Sequence, residues 1–196
     1  MTGTTIPSTC AVALKEWATV LQAMAKGEQL VLIRKGGLIE PGTGFELLSS
    51  AFVLYPTFEH QTVNYLRAPY QRYVEDAAAR RAPEGHVRVE LIGVATSALR
   101  QARDPSVVER LSALHIYNDA FVSQRLKWQP DQPLVIVPVR VYRLASPHLL
   151  PVVSRYAGCK SWAELEQLVS LAGAQPILDE AAFSSRLSRL HAILDT

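Results

Sequence analysis

The sequence predicts an α+β domain in which a small mixed or antiparallel sheet is flanked by N-terminal and C-terminal helices. Three observations predict it. Segments with helical periodicity crowd towards the two ends of the chain, and the β-branched apolar runs lie between them. The middle lacks the regular strand–helix alternation of a doubly wound sheet. With 196 residues, 48% of them hydrophobic and 19% charged, the chain suits one core-bearing domain.

Residues 1–10, MTGTTIPSTC, carry no charged side chain and no periodicity, so they read as a disordered tail before a single domain at 11–196. From Val12 to Lys26, the residues Leu14, Trp17, Ala18, Leu21 and Met24 recur at helical spacing, and Gly27 supplies a left-handed stop. The apolar run that follows is too short and too β-branched for a second helix. It reads as a strand from Gln29 to Arg34, with a turn at Gly36 and Gly37. A loop then leads to AFVLYP, residues 51–56, which reads as a further strand.

A helix is expected from about Tyr70 to Arg81, closed by Pro83 and Gly85, and a strand from Val87 to Ala95. Asp104 caps a short helix with Pro105 in its first turn, and Asn118 or Asp119 caps the next. PLVIVPVRVYRL, residues 133–144, is the strongest strand, which Pro138 should place at an edge or a bulge. Ser161 with Glu164 three places on forms a capping box for one helix, and DEAAFSSRLSRLHAIL makes the last. Residues 161–196 thus read as a helical appendage. Its stripes of Leu165, Leu168, Val169 and Leu171, then Phe183, Leu187, Leu190 and Leu194, must pack on the body.

Several functional classes lack their signatures. No apolar run reaches the ~18 residues of a membrane helix, and the N-terminus shows no basic region before an apolar stretch. Cys10 and Cys159 stand far apart without metal spacing, which fits a reducing compartment and a cytoplasmic location. The dinucleotide fingerprint, the P-loop, the nucleophile elbow, HExxH and paired CxxC are absent. His60, His86, His115, His148 and His191 never pair at ligand spacing. The positions two before each lysine hold Ala13, Met24, Ile33, Arg125 and Gly158 rather than an acid. No cofactor and no bound metal are therefore expected, and no reaction can be read.

Three constellations remain. FVLYPTFEHQ, residues 52–61, runs from a buried strand into a polar cluster in which Tyr55, Thr57, Glu59, His60 and Gln61 could line a pocket or cap a loop. Arg34 and Lys35 precede a glycine pair, as an anion site or as a turn with solvated cations. HIYNDAFVSQRLKW, residues 115–128, groups Tyr117, Arg125 and Trp128 as a stacking platform or as core and rim.

The blocks LKEW, LIRKGG, FVLYPTFEHQ, HIYNDAFVSQRLKWQPDQP, VRVYRL and YAGCKSW resemble the uncharacterised prokaryotic family called domain of unknown function 1802, from about Leu14 to Leu165. The sequence departs from that pattern at Leu48 and Ser49, where an acidic residue and a histidine are expected. The resemblance implies an association with restriction-modification systems. MAKGEQLVLIR also resembles the GxKxxExR pattern of the ASCH branch of PUA-like barrels. Gly27 and Arg34 match it, while Gln29 and Leu32 replace the lysine and glutamate. That likeness implies a barrel-mouth pocket for a base.

The reading that joins these strands is a nucleic-acid or nucleotide-binding module linked to genome defence. Arg34, Lys35 and Arg140 would meet phosphate, Tyr55 and Trp128 would stack, and Thr57, Glu59, His60 and Gln61 would read polar edges. The partner would be DNA or RNA, with no membrane. A divergent metal-dependent nuclease using Glu16, Glu40 and Glu59 is the alternative. A non-catalytic interaction module, as a homodimer or with a defence-system protein, is the third.

Overall fold

The computed structural model describes residues 6–35, 45–96, 100–158 and 160–195. The turn expected at Gly36 and Gly37, Glu40, and Cys159 lie outside the described residues. The strands are β1 (Thr9–Trp17), β2 (Val31–Arg34), β3 (Ala51–Thr57), β4 (His86–Ala95), β5 (Arg100–Ala102), β6 (Leu134–Pro151), β7 (Trp162–Ser170) and β8 (Gln175–Pro176). The helices are α1 (Ala18–Ala25), α2 (Tyr73–Ala79), α3 (Pro105–Arg110), α4 (Asp119–Lys127) and α5 (Glu180–Leu194).

One mixed sheet organises the chain, in the order β2-β6-β4-β3-β1-β7, with β5 and β8 each paired to β6. β1 and β3 run parallel, and the other described pairs are antiparallel. The sheet is covered on both faces. Along β3, Phe52 and Leu54 enter one apolar cluster, while Val53 and Tyr55 enter the other. Side chains of a strand alternate between faces, so a strand buried on both reads as an unbroken apolar run.

Double-sided burial explains one of two corrections, and an open sheet edge explains the other. The helix expected from Val12 is a strand as far as Trp17 and a helix only from Ala18. Ala13 joins one cluster, and Leu14 and Trp17 the other, which imitates helical spacing in a central strand. This strand also takes in Thr9 and Cys10 from the stretch expected to be disordered. The helix expected after Ser161 is instead β7, paired antiparallel with β1. Its Ala163, Leu165 and Val169 are buried in the second cluster, while Leu168 is exposed. The open edge of β1 overrides the local capping box. Residues 161–195 therefore hold the edge strand β7, the short β8 paired to β6, and α5, which buries Phe183 and Leu190.

Pro138 does not mark an edge. β6 is central, and Pro138 stands opposite Val31 where pairing passes from β2 to β4. The next residue, Val139, donates its N–H to the Leu30 carbonyl at 2.9 Å, so the ladder resumes at once. Local signals fared better elsewhere. Asp104 accepts from Ser106 N at 2.9 Å and Asn118 from Phe121 N at 3.2 Å, capping α3 and α4. Gly27 ends α1 at φ +70°, where a Cβ would lie 2.6 Å from Leu178. No described helix is long and apolar enough to cross a membrane.

Candidate functional site

The parallel pair brings two strand ends to one place. Glu16 stands opposite Pro56 and Trp17 opposite Thr57, after which β1 turns into α1 and β3 into the bend at Glu59 and His60. A cleft of about 900 Å³ opens there. Clefts at the carboxyl ends of parallel strands recur as ligand sites because the loops diverge there.

The cleft is basic and aromatic. Its walls carry Lys15, Arg34, Lys35, Arg81, Arg125 and Lys160 against Glu16, Glu59 and Glu84. Trp17, Tyr55, Phe58, Tyr65, Trp128 and Tyr156 supply the rings. Arg81 lies over Phe58 at 4.4 Å, and Tyr65 stacks on Trp17 with 6.2 Å between ring centres. Arg81 and Lys160 are exposed, while Phe58, Tyr65 and Trp128 are half-buried.

Of the nine residues proposed from sequence, Arg34, Lys35, Tyr55, Thr57, Glu59, His60 and Trp128 line this cleft. They do not all face it with free groups. Glu59 and His60 are exposed, and His60 holds φ 62°, a left-handed conformation that turns the chain out of β3. Thr57 donates its hydroxyl to the Glu16 carbonyl at 3.2 Å, tying β3 to β1. Gln61 does not line the cleft: its Oε1 accepts from Thr19 N at 3.3 Å in the first turn of α1. The expected polar wall is thus divided between a lining and a helix cap.

Tyr55 is buried, edge-on to Tyr156, so its ring belongs to the core rather than to a stacking surface. Burial, and then Tyr156, push its hydroxyl above the usual tyrosine value. Arg140 does not reach the cleft at all. It pairs with Glu180 of α5 at 2.5 Å and lies over Phe183.

Lys35 is fully buried, and its Nζ donates to the Arg125 and Leu126 carbonyls at 2.8 and 3.0 Å. That placement offsets the carbonyl end of α4. Burial first, then Arg103 and Arg125, hold Lys35 below the usual lysine value. Arg34 donates through Nη1 to Glu16 Oε2 and to the Lys15 carbonyl, both at 3.1 Å. Glu16 Oε1 accepts from Trp17 N at 2.8 Å. Glu16 is thus held by protein donors, and no group of three His, Cys, Asp or Glu fit for a metal occurs among the described residues.

Sequence reasoning gave Arg81, Phe58 and Lys160 no individual role at the site, although all three line the cleft. It noted Arg125 only as a neighbour of the aromatic platform. The side chain of Arg125 lies 5.2 Å from the Phe121 ring and 6.0 Å from that of Trp17, and its Nε is buried without a partner.

The family described as Domain of unknown function (DUF1802) matches residues 13–189. The chain belongs to that family. Its match takes in β3, the bend after it, α4 and most of α5, so every residue lining the cleft lies within the DUF1802 region. None of the curated proteins matches the sequence. Among solved structures, the crystal structure of ASCH from Zymomonas mobilis superposes with a TM-score of 0.39 at 12% identity, over 90% of this chain and 92% of that one. A superposition that loose decides nothing about the cleft.

Proposed function

We propose that the cleft binds a nucleotide or a short single-stranded run of nucleic acid. The observation that carries this reading is the meeting of exposed cations, Arg81 and Lys160, with half-buried rings of Trp128, Phe58 and Tyr65 around the exposed Glu59 and His60. Cations follow a phosphate backbone, rings stack on bases of any sequence, and a carboxylate with an imidazole can read base edges. A volume of about 900 Å³ suits one or a few nucleotides, since small-ligand pockets run roughly 300–1,000 Å³. Arg34 holds the Glu16 wall in place beside this path and adds to its positive field.

A role in genome defence is the finer form of the proposal, and a cytoplasmic location is the compartment it implies. A methyltransferase or nuclease gene beside this one would support it. The interaction-module reading moves ahead if no nucleic acid binds.

Fluorescence anisotropy on single-stranded and duplex oligonucleotides, across a salt series, tests the reading. Single strands should bind in preference, with affinity falling as salt rises. Arg81→Gln should weaken all sequences alike and lower the salt slope by about one. No binding of either form at low salt overturns the proposal.

A further inference from the structure

We infer that the floor of the cleft is a subsite for a terminal phosphomonoester, with Arg125 and Arg34 as its donors. The ligand class is then a nucleoside monophosphate or a phosphate-ended strand. This inference rests on the nucleotide reading of the same cleft and narrows it.

The charge balance of the floor carries it. Arg34, Lys35 and Arg125 all line the cleft, and the carboxylate placed among them is Glu16. Among the described residues the other acidic groups of the lining, Glu59 and Glu84, are exposed. Three cations facing one carboxylate leave two positive charges in excess. A phosphomonoester carries about 1.5 to 2 negative charges at neutral pH, against one for a diester, so it matches that excess better.

The donor count agrees. Lys35 has turned its ammonium to the carbonyls of α4 and contributes charge rather than bonds. Arg34 uses one nitrogen on Glu16 and on the Lys15 carbonyl. Arg125 forms no ion pair among the described residues, and its Nε stays buried without a partner. Burial, then Arg34, hold this guanidinium below its usual pKa, and Tyr117 and Glu16 offset them only in part. A half-buried cation without an ion-pair partner costs stability, and an anion that binds the folded chain beside it offsets that cost. Trp128 and Tyr65, in the same lining, leave an aromatic wall for the base.

The test uses the full chain and a single-stranded hexanucleotide with hydroxyl ends, or with one 5′- or 3′-phosphate. AMP against adenosine serves as the small probe. In the wild type a terminal phosphate should tighten binding roughly tenfold or more, as charge-assisted bonds to a dianion do. Arg125→Met should abolish that preference, so that phosphate-ended and hydroxyl-ended strands bind the variant alike, and Arg125→Lys should keep part of it. Without ligand, Arg125→Met should melt at or above the wild-type temperature. Equal affinity for phosphate and hydroxyl ends would overturn the inference and leave the nucleic-acid reading standing. Failure of every probe would remove both. A phosphate preference that survives in Arg125→Met, with a clear loss of melting temperature, would make Arg125 a packing residue and sink its assignment.

Discussion

Glu16 Oε2 and Arg34 Nη1 meet at 3.1 Å across the β1–β2 side of the cleft, with the carboxylate 6% and the guanidinium 15% exposed. The pair holds the wall from which the cleft is built. Its carboxylate also adds to burial in pushing the Tyr117 hydroxyl up. Glu16→Gln should therefore destabilise the fold by about 3–5 kcal/mol, because it leaves Arg34 without its paired carboxylate. Urea unfolding measures this. Added phosphate should restore part of the loss, and a variant as stable as the wild type would show that the pair contributes nothing.

The polar cluster after β3 divides into exposed lining residues, Glu59 and His60, and a cap, Gln61, and the two roles can be measured. Glu59→Ala and His60→Asn should weaken nucleotide binding by about 1–3 kcal/mol with little change in melting. Asparagine is the proper replacement at residue 60 because it tolerates the left-handed backbone there. Gln61→Ala should do the reverse. It removes the acceptor for Thr19 N and should cost about 1 kcal/mol of stability without touching affinity. If Glu59 and His60 variants lose melting temperature and keep their affinity, the cluster is structural throughout.

His115 should make the fold acid-sensitive. It is buried, its Nε2 lies 2.9 Å from the Val108 carbonyl, and its Nδ1 accepts from Tyr117 N at 3.1 Å. Those partners fix the neutral ring with its proton on Nε2. Burial, opposed by the Val108 bond and reinforced by Arg67, pushes its pKa from 6.5 down to about 4. A depressed folded value means that the unfolded chain takes the proton first as pH falls. Its stabilising contribution is full above pH 6.5 and is lost towards pH 4, by about 3 kcal/mol in all. Unfolding midpoints between pH 4 and 7 should show this slope. His115→Gln should be less stable at pH 7 and flatter below it; an equal slope in both proteins would place the acid sensitivity elsewhere.

Removing residues 161–196 should leave no soluble folded protein. The cut strips β7 from β1 and uncovers the core around Leu165, Val169, Phe183 and Leu190. Circular dichroism and sedimentation of a 1–160 chain would check it, and a monomer as stable as the parent would contradict it.

The sequence by itself determined the features that depend on neighbours along the chain. Asp104 and Asn118 cap because their side chains reach N–H groups two or three residues on, and Gly27 stops α1 because only glycine takes φ +70° at no steric cost. The apolar run Phe52 to Tyr55 forms a buried strand, and Thr57, Glu59 and His60 of the polar stretch after it line a cleft. The tertiary structure decided everything that depends on distant partners. β1 and β7 are strands because each finds the other's edge, and in β1 burial on both faces erases the alternation that would have announced it. Arg81 reaches Phe58 from the far side of α2, and Arg125 reaches Trp17 from α4, by contacts that no spacing encodes. Lys35, Gln61 and Arg140 looked free in the sequence. They are bound to a helix end, a first turn and a glutamate, because a buried hydrogen-bonding group must find a partner wherever the fold supplies one.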